Sequence, residues 1–330
     1  MILTTKTSVS EYDIVIKRGA LNDLKEYLNL DRKVLIVTDS GVPKNYAETV
    51  AKQSSEAYIY TFLQGEESKN FDTYKAILEQ LVKNGFTRSD CVVAVGGGVV
   101  GDMAGFAAAS FMRGIDFYNI PTTVLSQVDS SVGGKVAIDF CGVKNIVGAF
   151  YPPKAVIIDA DTLKTLPIRQ VSNGLAEALK MAATFDEKLF NHFLNEELNL
   201  DYIIEQSLRL KKAVVEEDEK EKGIRKVLNF GHTIGHAIES VNLGNLYHGE
   251  CVGLGMLYCC SEEVKEKLTA ALKKLNLPTK CELNTDEIIE FMSHDKKKSG
   301  DNISVVFVNK IGSYDIKKMT LSELKEVILK

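Results

Sequence analysis

The chain has 330 residues, 45% apolar and 26% charged, with 40 basic against 45 acidic side chains and a formal net charge of -5. These proportions exclude a collagen repeat, low-complexity disorder and a long coiled coil. With no basic tail, nucleic acid is not an expected partner, and the length accommodates two domains or one large α/β domain. Six cysteines lie at 91, 141, 251, 259, 260 and 281 without a C-x-x-C pair, which predicts free thiols in a reducing compartment. The segment Met1–Ser8 has no apolar signal region, so a cytoplasmic setting is expected.

The first predicted strand is 34–38, a β-branched run that stops at Asp39-Ser40-Gly41. A helix over 43–55 and a second strand over 57–63 follow, the latter ending at Gln64-Gly65-Glu66-Glu67. Helical spacing of Phe71, Ile77, Leu78, Leu81 and Val82 predicts a helix over 71–84. The apolar stretch from Cys91 to Phe111 contains five glycines and Asp102. A membrane span would strand that carboxylate, so the stretch reads as a buried strand, a glycine turn and a helix. Strands over 117–120 and 155–158 complete an alternation that implies a mostly parallel sheet with right-handed crossovers. From Ile168 to about Lys274 helix-compatible stretches dominate, including 174–181, 189–194, 202–215 and 232–241. Short strands over 303–308 and 313–316 precede a last helix over 321–329. The fold class is α/β: a mostly parallel sheet domain over 1–163, then a mainly α-helical domain over 164–330.

Gly96-Gly-Gly-Val-Val-Gly101-Asp102 follows a strand and opens a helix. Such a turn lets backbone approach a pyrophosphate at a helix N-terminus. It is neither G-x-G-x-x-G nor a P-loop, and a turn without a ligand is the plain alternative. Thr122 and Thr123, after the next strand, would share the carboxyl edge of the sheet. Three of the five histidines, His232, His236 and His248, fall within 17 residues. His232 and His236 are one helical turn apart on one face, and Glu177 lies upstream. Two histidines and a carboxylate with an open position suit a catalytic zinc. Spacing favours His232 and His236 as ligands and leaves His248 open. The pattern lacks the glutamate of a metalloprotease. Cations at Arg113, Lys135, Lys144, Lys180, Lys211 and Arg225, several of them glycine-flanked, with Asn145 and Asn229, point to a polyanionic small substrate. The run 216–222 reads as a solvated helix end or loop.

With these residues in view, the chain resembles the 3-dehydroquinate synthase family of sugar-phosphate cyclases. The resemblance rests on five ordered blocks: 96–106, 121–135, 173–180, 228–239 and 247–250. It implies a Rossmann-like first domain and a helical second domain. It also implies conversion of 3-deoxy-D-arabino-heptulosonate 7-phosphate to 3-dehydroquinate and phosphate, with transient oxidation by NAD, in the shikimate route to aromatic amino acids. By the same matching, Glu177, His232 and His248 hold Zn2+ or Co2+, and His236 becomes a substrate neighbour. Asp129, Lys135, Asn145, Lys180, Lys211, Arg225 and Asn229 line the substrate pocket, and Arg113 reaches a phosphate across a homodimer interface. Lys296, within His294–Lys298, contacts the phosphate. The NAD set falls on Asp39, Glu66, Lys69, Gly98, Gly101, Asp102, Thr122, Thr123, Lys135, Lys144, Thr162 and Thr165. Gly41 departs from the family pattern, where Asn is frequent, and removes one nucleotide hydrogen bond. No membrane partner is implied. The rival readings are a metal-dependent polyol dehydrogenase, a cyclase making another carbocycle, and a non-catalytic NAD-binding protein.

Overall fold

The computed structural model describes residues 1–8, 10–195, 197–242, 245–282, 285, 287–292 and 302–329. The chain divides into two compact units, Met1–Pro167 with Lys211–Glu216, and Ile168–Leu210 with Glu217–Lys330.

The first unit is built on a seven-stranded sheet. Its elements are β1 (Ile2–Lys6), β2 (Glu11–Ile16), β3 (Lys33–Asp39), α1 (Lys44–Lys52), β4 (Glu56–Phe62), α2 (Phe71–Lys83), β5 (Cys91–Gly96), α3 (Gly98–Ser110), β6 (Asp116–Pro121), the hairpin β7 (Lys135–Phe140) and β8 (Val143–Phe150), and β9 (Ala155–Ile158). The sheet order is β1-β2-β9-β6-β5-β3-β4. Every neighbouring pair is parallel except β1 and β2. Val34 to Val37 and Cys91 to Val95 are fully buried. Continuous apolar runs of this kind are what a sheet covered on both faces requires, and each buried Val, Ile or Leu contributes roughly 1.5–3 kcal/mol. From β3 the chain steps outward to β4, then back past β3 to β5, β6 and β9. That reversal puts a topological switch point between β3 and β5, at the carboxyl edge where open sheets of this type bind ligands.

The second unit carries α4 (Ile168–Phe185), α5 (Glu187–Leu194), most of α6 (Leu200–Glu217), α7 (His232–Val241), α8 (His248–Tyr258), α9 (Glu262–Lys274), a hairpin of β10 (Ile303–Phe307) and β11 (Asp315–Met319), and a final helix, Leu321–Leu329. The parallel sheet followed by helices is as expected. Two features were not: the β1–β2 pair and the β7–β8 hairpin. α8 was not singled out either, because it is buried from Gly249 to Leu257 and has no polar face for a periodic pattern to show. No helix among the described residues is long and apolar enough to cross a membrane.

Candidate functional site

In the first unit, the carboxyl edge gathers the residues expected to hold a nucleotide. Asp39 ends β3, Glu66 and Lys69 follow β4, Gly98 and Gly101 open α3, and Thr122 follows β6. The turn after β5 is pinned by the Thr122 N–H, which donates to the Gly96 carbonyl at 2.9 Å. Thr123 is one residue on, and its Oγ1 accepts from the Ser126 N–H at 3.2 Å. Lys69 is 5% exposed and lies 2.5 Å from Asp102 and 3.9 Å from Glu66. Burial pushes the Asp102 carboxyl up to about 6, against the pull of Lys69. Burial likewise raises Asp39, although the Gly41 and Val42 N–H groups hold it back. A side chain at position 41 would begin 2.0 Å from the Gln64 Oε1, so Gln64 fills the space beside Gly41.

Other expected residues lie on β8 and in the turn that follows β9. Lys69 also donates to the Asn145 Oδ1, which joins a residue expected at the substrate to the nucleotide set. Asn145 and Lys144 sit on β8, Asn145 in the left-handed region with φ 54°. Thr162 donates to the Asp159 carbonyl at 2.8 Å and accepts from Gln127 at 3.1 Å. Thr165 lies 3.0 Å from the Tyr46 hydroxyl. Both hydroxyls therefore serve the internal bonding of the first unit.

The anion-binding candidates divide between the units. Lys135 begins β7 after two glycines with positive φ, Gly133 and Gly134. Asp129 is ion-paired with Lys211. Arg113 is exposed on a tight turn in which Met112, Arg113 and Gly114 have φ of 49°, 70° and 119°. Two of those three are not glycine, and strain of that kind persists where the surroundings over-determine it. In the second unit Arg225 is 2% exposed, and its guanidinium donates to the Glu219 carbonyl at 2.5 Å. Asn229 donates to Glu221 at 2.6 Å. One carboxylate organises this loop: Asp218 accepts the N–H groups of Lys222, Gly223 and Arg225 at 2.9, 2.6 and 3.1 Å. The run 216–222 is thus a helix end and loop as expected, but Asp218, Glu219 and Glu221 turn toward Arg225 and Asn229. Lys296, with the rest of 294–298, lies outside the described residues.

The metal candidates lie on α4, α7 and α8. Glu177 sits mid-α4, 1% exposed. Lys180, one turn on and equally buried, pairs with its Oε2. The Oε1 is buried and has no hydrogen-bond partner among the described residues. It faces His232 Nε2 at 3.4 Å and His248 Nε2 at 3.3 Å. Each ring is held through its other nitrogen by an acceptor: the Phe230 carbonyl at 3.2 Å from His232 Nδ1, and Glu239 at 3.1 Å from His248 Nδ1. A carbonyl or carboxylate only accepts, so each Nδ1 carries a proton, and whenever a ring is neutral its Nε2 lone pair faces Glu177. Three lone-pair donors converging in a buried space are repulsive until a cation or proton lies between them. The donor set fits a divalent metal.

The charges respond accordingly. Burial would raise the Glu177 carboxyl, but Lys180, then His232 and His248, hold it well below the usual range. Burial and the nearby Lys180 charge keep His232 well below its ordinary value. Burial lowers His248 too, yet the Glu177 and Glu239 carboxylates facing its two nitrogens prevail and lift it to about 9, a proton standing where a cation would lie. Ring nitrogens of His232, His236 and His248 also come within 4.8 Å of one another. His236 is exposed, whereas Glu177 offers a buried, unsatisfied oxygen to the other two rings.

Local sequence explains the convergence. Gly231 N-caps α7 with φ 77°. His248 is the first residue of α8, and the Glu250 side chain accepts the Tyr247 N–H at 2.8 Å. Arg169 locks Glu250 with bonds of 2.7 and 2.8 Å and stacks 4.0 Å over the Tyr247 ring. The Gly249 N–H donates to Asn173 Oδ1 at 2.6 Å. A Cβ at Gly249 would meet the Asn173 carbonyl at 2.0 Å, so only glycine lets α4 and α8 approach this closely.

Comparisons with known proteins identify the family of the chain. A model described as 3-dehydroquinate synthase N-terminal matches residues 59–173, and one described as 3-dehydroquinate synthase C-terminal matches 174–298. The chain belongs to the 3-dehydroquinate synthase family. It is 45% identical to the 3-dehydroquinate synthase of Acetivibrio thermocellus over 303 residues, 85% of this chain and 84% of that one. It is 43% identical to that of Campylobacter concisus over 331 residues, 96% and 94% of the two chains. A crystal structure of 2-deoxy-scyllo-inosose synthase complexed with carbaglucose-6-phosphate, NAD+ and Co2+ is 27% identical, with a TM-score of 0.88 over 99% of each chain. The chain is an enzyme of a family whose substrates are small molecules. Glu239, Asp218, Glu219 and Glu221 were not anticipated as site residues. Glu239 had a signal, since it lies at i+7 from His232 and i+3 from His236 on one helical face.

Proposed function

We propose that the enzyme is a 3-dehydroquinate synthase: a carbon–oxygen lyase that converts 3-deoxy-D-arabino-heptulosonate 7-phosphate to 3-dehydroquinate and phosphate. NAD and a divalent metal, Zn2+ or Co2+, are its cofactors. The reading carries with it a cytoplasmic, homodimeric enzyme of the shikimate pathway. The observation that carries it is the Glu177 oxygen facing two histidine lone pairs, in a chain whose family is established from both its halves.

Bound NAD supplies a transient hydride acceptor for C5, and the bound cation supplies charge that polarises the oxygen there. The chain's residues do the rest. Glu177, His232 and His248 hold the cation, and Lys180 keeps Glu177 ionised while occupying its other oxygen. Asp39, Glu66, Lys69, Gly98, Gly101, Asp102, Thr122 and Thr123 hold the nucleotide at the sheet edge, with Lys135 and Lys144 of the hairpin and Thr162 and Thr165 after β9. The substrate's phosphate and carboxylate are held by Lys135, Lys211, Arg225, Asn145 and Asn229, with Asp129 and His236 beside them and Lys296 assisting. Fixed cations of this kind position the leaving phosphate, which supports elimination without a dedicated histidine base. Arg113 serves a second copy of the chain. The strained turn that presents it, and the exposed Met112, Phe140, Ile146 and Phe150 of the same unit, support a homodimer.

Incubation with the heptulosonate phosphate, Zn2+ and a trace of NAD tests the reading. Phosphate and product should form in excess of the NAD present, with no lasting NADH absorbance. Stoichiometric NADH would instead establish the polyol dehydrogenase.

A further inference from the structure

Resting on the metal-site reading above, we propose that Glu239 is a positioning residue for that site, fixing the His248 ring so that Nε2 is its ligand atom and adding the negative charge that a dication needs. Three observations carry it. First, the two histidine rings are held by unlike partners. A backbone carbonyl holds His232 at 3.2 Å, whereas a carboxylate holds His248 at 3.1 Å. Second, the His248 ring is the less enclosed, with its side chain 31% exposed against 12% for His232. It springs from the first residue of a helix, so packing alone leaves the ring freer to turn. The Glu239 side chain that holds it is itself only 18% exposed. Third, the local charge is short by one. Lys180 is paired with Glu177 at equal burial, so the immediate ligand set is close to neutral. Glu239 makes it anionic without occupying a coordination position. Carboxylate partners of this kind orient a ligating imidazole and raise its basicity, and their loss costs 10–100-fold in metal affinity.

The test titrates metal-free full-length protein with Zn2+, and separately with Co2+, in competition with a chelating dye. Glu239→Ala should bind either metal about 10–100-fold more weakly than wild type. Its Co2+ complex should show a shifted visible spectrum. Glu239→Gln keeps an acceptor oxygen but no charge, and should fall between the two. An alanine variant with wild-type affinity and an unchanged Co2+ spectrum overturns the role. If the alanine variant does not fold, the isosteric glutamine variant decides: weaker Zn2+ binding supports the role and equal binding overturns it. Wild-type protein that takes up neither metal overturns the metal site itself, and the role of Glu239 with it.

Discussion

The two units hold charge in different ways. In the second, Glu177 and Lys180 are both 1% exposed. They stand on one helix, three residues apart, with an unsatisfied oxygen left over. In the first, Lys69 is 5% exposed and its partner Asp102 is 21% exposed, and the pair lies at the edge of a sheet. A sheet edge offers backbone turns and partial access to water. A helix interior offers neither, so its charges must satisfy one another or a bound ion. The edge suits a ligand that arrives and leaves, the interior an ion that stays.

The largest expected effect breaks the interior pair. Glu177→Ala removes the carboxylate and strands Lys180, and breaking a buried pair in this way costs about 3–5 kcal/mol. Urea unfolding of metal-free protein should show that loss, and the metal content should fall to background. His248→Ala should also lose metal, with little of the stability cost. His236→Ala should retain it. A His236 variant stripped of metal, beside a fully loaded His248 variant, would restore the i, i+4 pair as the ligands.

Next come two glycines whose substitution meets equally close atoms. A Cβ at Gly249 lies 2.0 Å from the Asn173 backbone carbonyl, and one at Gly41 lies 2.0 Å from the end of the Gln64 side chain. Backbone joining two packed helices cannot move aside, while a side-chain amide can. Gly249→Ala should therefore cost about 1–3 kcal/mol and weaken metal binding, because it displaces His248. Gly41→Ala should stay within about 0.5 kcal/mol of wild type. Thermal unfolding of the pair decides whether α4 and α8 are as rigidly joined as the distances imply.

These contrasts also show what could be read in advance. β3, β5 and β9 were legible because strands buried on both faces are unbroken apolar runs, such as Val34 to Val37. β1 and β2 were not, since Thr4, Thr5 and Asp13 interrupt them and leave only short apolar runs. The β7–β8 hairpin was hidden because its strands are mostly exposed or half-buried, and Lys135, Lys144 and Asn145 interrupt its apolar residues. Glu177, His232 and His248 emerged from family blocks. Spacing alone preferred His236, because a helical period reports neighbours on one element and not a partner from α8. Asp218 illustrates the remainder. Its value lies in three backbone N–H groups that converge only after the loop has folded.

Arg113→Ala sharpens the comparison from outside both charge pairs. A charge-assisted hydrogen bond is worth roughly 1.5–3 kcal/mol, so substrate affinity should fall about tenfold to a hundredfold. NAD affinity should hardly change. Calorimetric titration with each ligand separates the two, and unchanged substrate affinity would remove Arg113 from the site.

The smallest effect concerns the edge pair and its pH dependence. Burial lifts Asp102 to about 6, from an ordinary 3.8. Between those values the folded protein holds a proton that the unfolded chain has released. Stability from this group is therefore greatest below about 3.8 and is lost as pH rises toward 6, opposite to a carboxylate whose pKa is depressed by its partner. Asp102→Asn removes the titration but keeps the shape. Relative to wild type, the variant should gain stability as pH rises from about 4 to 6, with no further relative change above that. Urea unfolding of both proteins across the window measures the difference, in which the remaining carboxylates cancel. A flat difference would mean that Lys69 and the neighbouring water keep Asp102 ionised throughout, and that the sheet edge is wetter than the burial of Lys69 suggests.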